Sequence, residues 1–127
     1  MTNTRPIYGY ELVLDLHHCD VSMFNRGSLD GYFETVCKAI DMQKCERYFW
    51  DDFGLPEEEK EVLPHTKGTS AVQFILTSSI VIHTLDLLAA AYINIFSCKV
   101  FDRDVAKKVT EDWFKARECR THFIERI

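Results

Sequence analysis

SAVQFILTSSIVIHTLDLLAAAYINIFSC, residues 70–98, is the stretch that decides the fold. It divides into SAVQFILTS, SIVIHT and AAAYINIFSC, three runs rich in β-branched, aromatic and apolar residues, the last two separated by a short LDLL bend. Such runs read as neighbouring strands of an antiparallel sheet. Two adjacent serines, Ser78 and Ser79, stand at the junction of the first and middle runs and His83 nearly closes the middle one, with Cys98 fifteen residues further on. Either this is an ordinary buried strand or it is a backbone arranged to do chemistry on itself.

Upstream, ELVLDLHHC (residues 11–19) sets Leu12, Leu14 and Leu16 against Glu11, Val13, Asp15 and His17, the alternation of a half-buried strand. SLDGYFETVCKAI follows, with Ser28 as the expected N-cap and Leu29, Tyr32, Phe33, Val36 and Ile40 at helical spacing on one face. KCERYFW (44–50) reads as a second strand, and DDFGLPEEEKEVLPHTKG (51–68), with two prolines, two glycines and an acidic run, as an exposed connection. Downstream, Asp102 or Asp104 is placed to cap a helix running through Lys115, with Val105, Val109, Trp113 and Ala116 expected on its buried side. A last strand covers ECRTHFIERI. The order β-α-β-(β-β-β)-α-β leaves helices for one sheet face only: an α+β, two-layer sandwich of an antiparallel sheet under two helices, in one domain over residues 1–127.

The composition excludes several classes. A chain of 127 residues, 46% hydrophobic and 28% charged, can bury a core without disulfides or metal. Its longest apolar run, LDLLAAAYINIF, is broken by Asp86 and Asn94 and is too short for a membrane span. MTNTRPIYGYELVLDL carries no charged leader with a cleavage site, so a cytoplasmic protein is expected. The five cysteines are odd in number, scattered and without a C-x-x-C, which reads as free thiols rather than a disulfide framework or a zinc knuckle. A net charge of −5 opposes a general nucleic-acid surface, so the expected ligand is a small molecule or another protein. His17-His18-Cys19 with Asp20 is read as strand-end polarity, because adjacent strand residues face opposite ways and make a poor shared metal site. Tyr48, Phe49 and Trp50 are read as core or dimer surface.

TSSIVIHT with FSC downstream resembles the small prokaryotic S-adenosylmethionine decarboxylases, whose pattern runs approximately E-S-H-[IL]-[ST]-I-H-T-W-P-E and then [FY]-T-C. Aligned without a gap, the resemblance puts the self-processing serine on Ser78, the processing histidine on His83 and the catalytic cysteine on Cys98. The family's G-V-S matches GTS, which puts a further serine on Ser70, and its C-D matches Cys19-Asp20. The resemblance implies that the Ser78 hydroxyl attacks the preceding carbonyl and cuts the chain between Thr77 and Ser78. It further implies a pyruvoyl cofactor made from Ser78, with no metal, whose ketone forms a Schiff base with a substrate amine and takes up the electrons left by carbon dioxide. In that scheme Ser70 hydrogen-bonds the reacting carbonyl, His83 moves protons in ester elimination, and Cys98 reprotonates the carbanion. The implied substrate is S-adenosylmethionine, on the way to spermidine and other polyamines, and the implied assembly a homodimer away from nucleic acid and membrane.

Two features stand against a simple transfer. His83 lies five residues from Ser78, so on a regular strand it points to the other face, and a bulge, a bend or a cross-subunit contact must intervene. Thr77 stands where the family has Glu, Ser79 where it has His, Leu85-Asp86-Leu87 where it has W-P-E, and Val62 at the adenine-stacking position before L-P. The self-processing residues are present while the nucleoside-binding ones are largely replaced. Two further readings therefore accompany the first: an unprocessed, non-catalytic paralogue with a regulatory or binding role, and a decarboxylase of a smaller amino acid.

Overall fold

The structure, a computed structural model, describes residues 5–127; the opening MTNT lies outside the described residues. Six strands form one antiparallel sheet: β1 (Gly9–His17), β2 (Lys44–Trp50), β3 (Gly68–Ile75), β4 (Ser78–Leu85), β5 (Ala90–Ser97) and β6 (Glu118–Arg126), in the spatial order β2-β3-β4-β5-β1-β6. Helices α1 (Arg26–Ala39) and α2 (Arg103–Phe114) cover one face. This is the two-layer α+β sandwich expected from the sequence. No described helix is long and apolar enough to cross a membrane.

The alternation visible in the sequence sets the layers. Leu12, Leu14 and Leu16 on β1, Ile80 and Ile82 on β4 and Ile93 and Ile95 on β5 turn toward the helices and are buried, meeting Phe33, Val36 and Phe114. Fully burying such side chains contributes roughly 1.5–3 kcal/mol each, and this single layer of contacts is the core. Among the described residues, no helix covers the opposite sheet face. Its side chains include Tyr48, Trp50, Phe74 and Tyr92, 37–58% exposed, so the core reading fails for Tyr48 and Trp50 while the half-buried Phe49 packs against the core.

Both helix starts are decided by competing hydrogen bonds. Asn25, not Ser28, caps α1: its side chain accepts from the Ser28 N–H, and the helix begins three residues earlier than the sequence suggests. The Ser28 hydroxyl accepts instead from the Trp113 indole N–H of α2 at 3.0 Å, a partner no local reading could supply. Asp102 caps α2, accepting from the N–H groups of Asp104 and Val105. The fully buried stripe of α2 is Ala106, Thr110 and Phe114, shifted one position round from the expected face, of which Val109, Trp113 and Ala116 are half-buried against the core and Val105 is exposed. The shift follows from Tyr32, whose buried hydroxyl pairs with the Thr110 hydroxyl at 2.8 Å and whose ring lies 5.1 Å from that of Phe114. At the end of β1, Asp20 caps a short 3-10 turn through the Ser22 N–H and hydroxyl, as strand-end polarity predicts.

Candidate active site

β3 and β4 are joined by a turn of two residues, Leu76 and Thr77, with Ile75 paired to Ser78. Thr77 has φ of 50°, in the left-handed region, where a β-branched side chain crowds its own backbone. The Thr77–Ser78 peptide therefore leaves a strained residue and enters a regular strand. Ser78, 8% exposed, accepts a hydrogen bond on its Oγ from the Cys98 N–H at 3.0 Å, because Cys98 directly follows the neighbouring strand β5. The Thr77 hydroxyl donates to the Leu76 carbonyl at 2.8 Å and lies 3.0 Å from the Cys98 Sγ, which is itself 3.7 Å from that carbonyl. Behind this cluster is a cavity of about 140 Å³ lined by Met42, Ile75, Ser97 and Lys99 as well as Ser78 and Cys98.

The electrostatics separate Cys98 from the other thiols. Hydrogen bonding to the Thr77 hydroxyl, and then to Ser78, holds the Cys98 thiol below its ordinary range, with the Lys99 ammonium adding to the effect. Burial drives Cys19 and Cys37 the other way, to about 11 each, and also raises Cys119. A thiol with thiolate character in an accessible position is the reactive kind.

Ser70 and His83 form a second pair. They are register partners on β3 and β4, and the Ser70 hydroxyl lies 2.7 Å from His83 Nδ1. They sit on the open face in a cross-strand row with Trp50 and Tyr92, and this row floors a groove of about 540 Å³ whose rim includes Glu61 and His65. Five residues of β4 separate His83 from Ser78, about 16 Å at a strand rise of 3.2–3.4 Å per residue. Ser78 shares the buried side of β4 with Ile80 and Ile82, whereas His83 is exposed on the other side. The two side chains thus face apart, as the parity of their spacing predicts, and β4 has neither bulge nor bend to undo it: its register with β3 and β5 is continuous.

One chain brings the four sequence-derived candidates together as two couples, Ser78 with Cys98 and Ser70 with His83, at opposite ends of one hairpin. Sequence reasoning missed Thr77 as a contact of the thiol, noting it only as the residue before the expected cut and as a departure from the pattern, and missed Trp50 and Tyr92 as neighbours of the second couple. The register of the row would have revealed the latter; nothing local marks Thr77 as left-handed. The positions matched to nucleoside contacts, Val62 and Leu87, are 72% and 60% exposed and line neither cavity. A further cavity of about 410 Å³ lies between the 51–67 connection and the start of α1, with Asp52 and Asp86 in its wall. Burial raises the Asp86 carboxyl, whose buried Oδ1 has no hydrogen-bond partner.

The S-adenosylmethionine decarboxylase family matches residues 10–127, nearly the whole described chain. The chain belongs to that family. Among curated proteins, no sequence matches. Among solved structures the chain is similar to the adenosylmethionine decarboxylase from Aquifex aeolicus VF5, with a TM-score of 0.73 at 17% identity over 96% of this chain and 92% of that one. At that identity the likeness shows the fold. Family and fold together support a carboxy-lyase of the S-adenosylmethionine decarboxylase type.

Proposed function

We propose that this S-adenosylmethionine decarboxylase family member cuts itself between Thr77 and Ser78, converts Ser78 to a pyruvoyl group and decarboxylates S-adenosylmethionine for spermidine synthesis. The observation that carries the reading is the cluster at the hairpin tip: a strained Thr77, a Ser78 oxygen held by the Cys98 N–H, and a thiol of lowered pKa against the same turn. In the cut, Ser78 Oγ bonds to the Thr77 carbonyl carbon, the C–N bond breaks, and the hydroxyl proton passes to the freed amine. Elimination of the ester then leaves the Ser78 oxygen in the Thr77 carboxylate; water supplies the ketone oxygen as ammonia departs. No outside oxidant or reductant enters this balance. The residues present fit such a group, since residue 78 becomes a chain end beside a small cavity and a thiol. Once formed, the pyruvoyl group supplies an electron sink for the pair released with carbon dioxide. Cys98 is the proton donor at that end of the hairpin.

Ser70 and His83 enter this scheme through a second copy of the chain. A two-fold axis between stacked open faces, with strands running antiparallel, would lay the His83 end of one protomer on the Ser78 end of its partner. The bare aromatic face, with Tyr48, Trp50, Phe74 and Tyr92 exposed, supports such a homodimer. His83, oriented through Nδ1 by the Ser70 hydroxyl, would then take up and return the protons of ester elimination. Intact-mass analysis tests the reading: purified protein is expected as fragments of residues 1–77 and 78–127, the second bearing a hydroxylamine-reactive carbonyl, and Ser78→Ala is expected to stay whole. A wild-type chain that remains whole on prolonged incubation, or a Ser78→Ala chain that still divides, would refute it.

A further inference from the structure

Thr77 is held in a conformation its side chain disfavours. Its φ of 50° places a β-branched residue in the left-handed region that such side chains disfavour, and asparagine, aspartate or glycine would be the ordinary occupant of such a turn. Its hydroxyl is also engaged on two sides, donating to the Leu76 carbonyl at 2.8 Å and lying 3.0 Å from Cys98 Sγ. The same sulfur reaches the Leu76 carbonyl at 3.7 Å, and the Cys98 N–H holds Ser78 Oγ at 3.0 Å. Three consecutive residues of the tip are thus tied to Cys98, the residue just past β5.

We propose that the Thr77 hydroxyl is a positioning group that locks the hairpin tip and the Cys98 thiol together while the chain is whole, and releases the thiol when residue 77 becomes a chain end. While Cys98 is a neutral thiol, its S–H can donate to Thr77 Oγ1 as that hydroxyl donates to Leu76; when it ionises, the hydroxyl turns to donate to the sulfur. Hydrogen bonding of that second kind is what lowers a thiol pKa, in line with the direction at Cys98. The lock therefore favours the thiolate in the whole chain. Cleavage frees Thr77 to move, and losing that hydrogen bond favours the protonated thiol, the form needed to protonate a carbanion. The release step rests on the self-cleavage proposed above; the lock does not.

The test uses full-length chains kept whole by Ser78→Ala, with Thr77 unchanged, Thr77→Val or Thr77→Ser, and reads the iodoacetamide labelling rate of the Cys98-containing peptide against pH. Valine keeps the shape and removes the hydroxyl; serine keeps the hydroxyl and removes the branch. Thr77→Val is expected to move the half-labelling pH of Cys98 upward and to slow labelling at neutral pH about tenfold, the scale of one hydrogen bond to a charged group, while Thr77→Ser stays close to the parent. A parent-like profile for Thr77→Val overturns the proposal. If Thr77→Val does not fold, by circular dichroism, Thr77→Gly replaces it with the same two expectations, since glycine tolerates the left-handed φ without a hydroxyl. With Ser78 restored, Thr77→Val is expected to divide about tenfold more slowly than Thr77→Ser; equal rates would overturn the positioning role. A Ser78 parent that never divides would sink the decarboxylase reading and the release step, and the labelling profile alone would then decide whether the lock exists.

Discussion

Cys98 and Ser78 are brought together by where β5 ends rather than by what flanks them in the chain. The backbone N–H of Cys98 is free to hold the Ser78 oxygen only because β5 stops at Ser97, one residue short of it. Cys98→Ala is therefore expected to keep this N–H and so to divide between residues 77 and 78, while losing decarboxylation by about 10²-fold or more; release of labelled carbon dioxide and intact mass read the two effects separately. The pH sense also follows. Cys98 has a lowered pKa and Cys19 and Cys37 are raised to about 11, so on raising the pH alkylation is expected at Cys98 before Cys19 and Cys37. In terms of linkage, the lowered group favours the folded chain above its unfolded pKa, and that contribution is lost as pH falls through the folded value.

At the scale of elements, two glycines set close approaches, one beside the Ser70–His83 couple and one between the helices. A Cβ on Gly68 would stand 1.6 Å from the Thr84 carbonyl oxygen, so β3 and β4 meet at the His83 end only because residue 68 has no side chain. Gly68→Ala is expected to destabilise the fold by about 3 kcal/mol or more and to disturb the Ser70–His83 couple. A Cβ on Gly31 would come within 2.8 Å of the Trp113 ring, where α1 and α2 cross, far from both couples. Gly31→Ala is expected to cost about 1–3 kcal/mol and to leave the cleavage rate of the folded fraction unchanged. Denaturant melts paired with intact mass distinguish the two outcomes. The elements themselves were legible: β2 matches the sequence reading residue for residue, and the ends of every other strand lie within three residues of it. The helix faces were less so, because Ser28 and Thr110 have partners on the other helix.

For the whole molecule the decisive quantity is the separation of the two couples, about 16 Å along one strand and on opposite faces. The shared site proposed above makes a sharp prediction. Ser78→Ala and His83→Ala chains, each expected to stay whole alone, should yield cleavage of the His83→Ala chain when co-expressed, because a mixed dimer holds one complete set. No cleavage in a mixture shown to contain mixed dimers would exclude the shared site. Val81→Arg, at the centre of the bare face between the two couples, is expected to give a monomer by sedimentation, still folded and no longer dividing.

From the order of residues alone came the period-two alternation, the strand and helix inventory, the one-sided layering and the spacing that matches Ser70, Ser78, His83 and Cys98 to a family pattern, all of which depend on neighbours within one element. The left-handed turn at Thr77, the grip of Cys98 on Ser78 and the division into two distant couples required the tertiary structure. Strand register and turn conformation are settled by contacts between residues far apart in the chain, and no local pattern carries those distances.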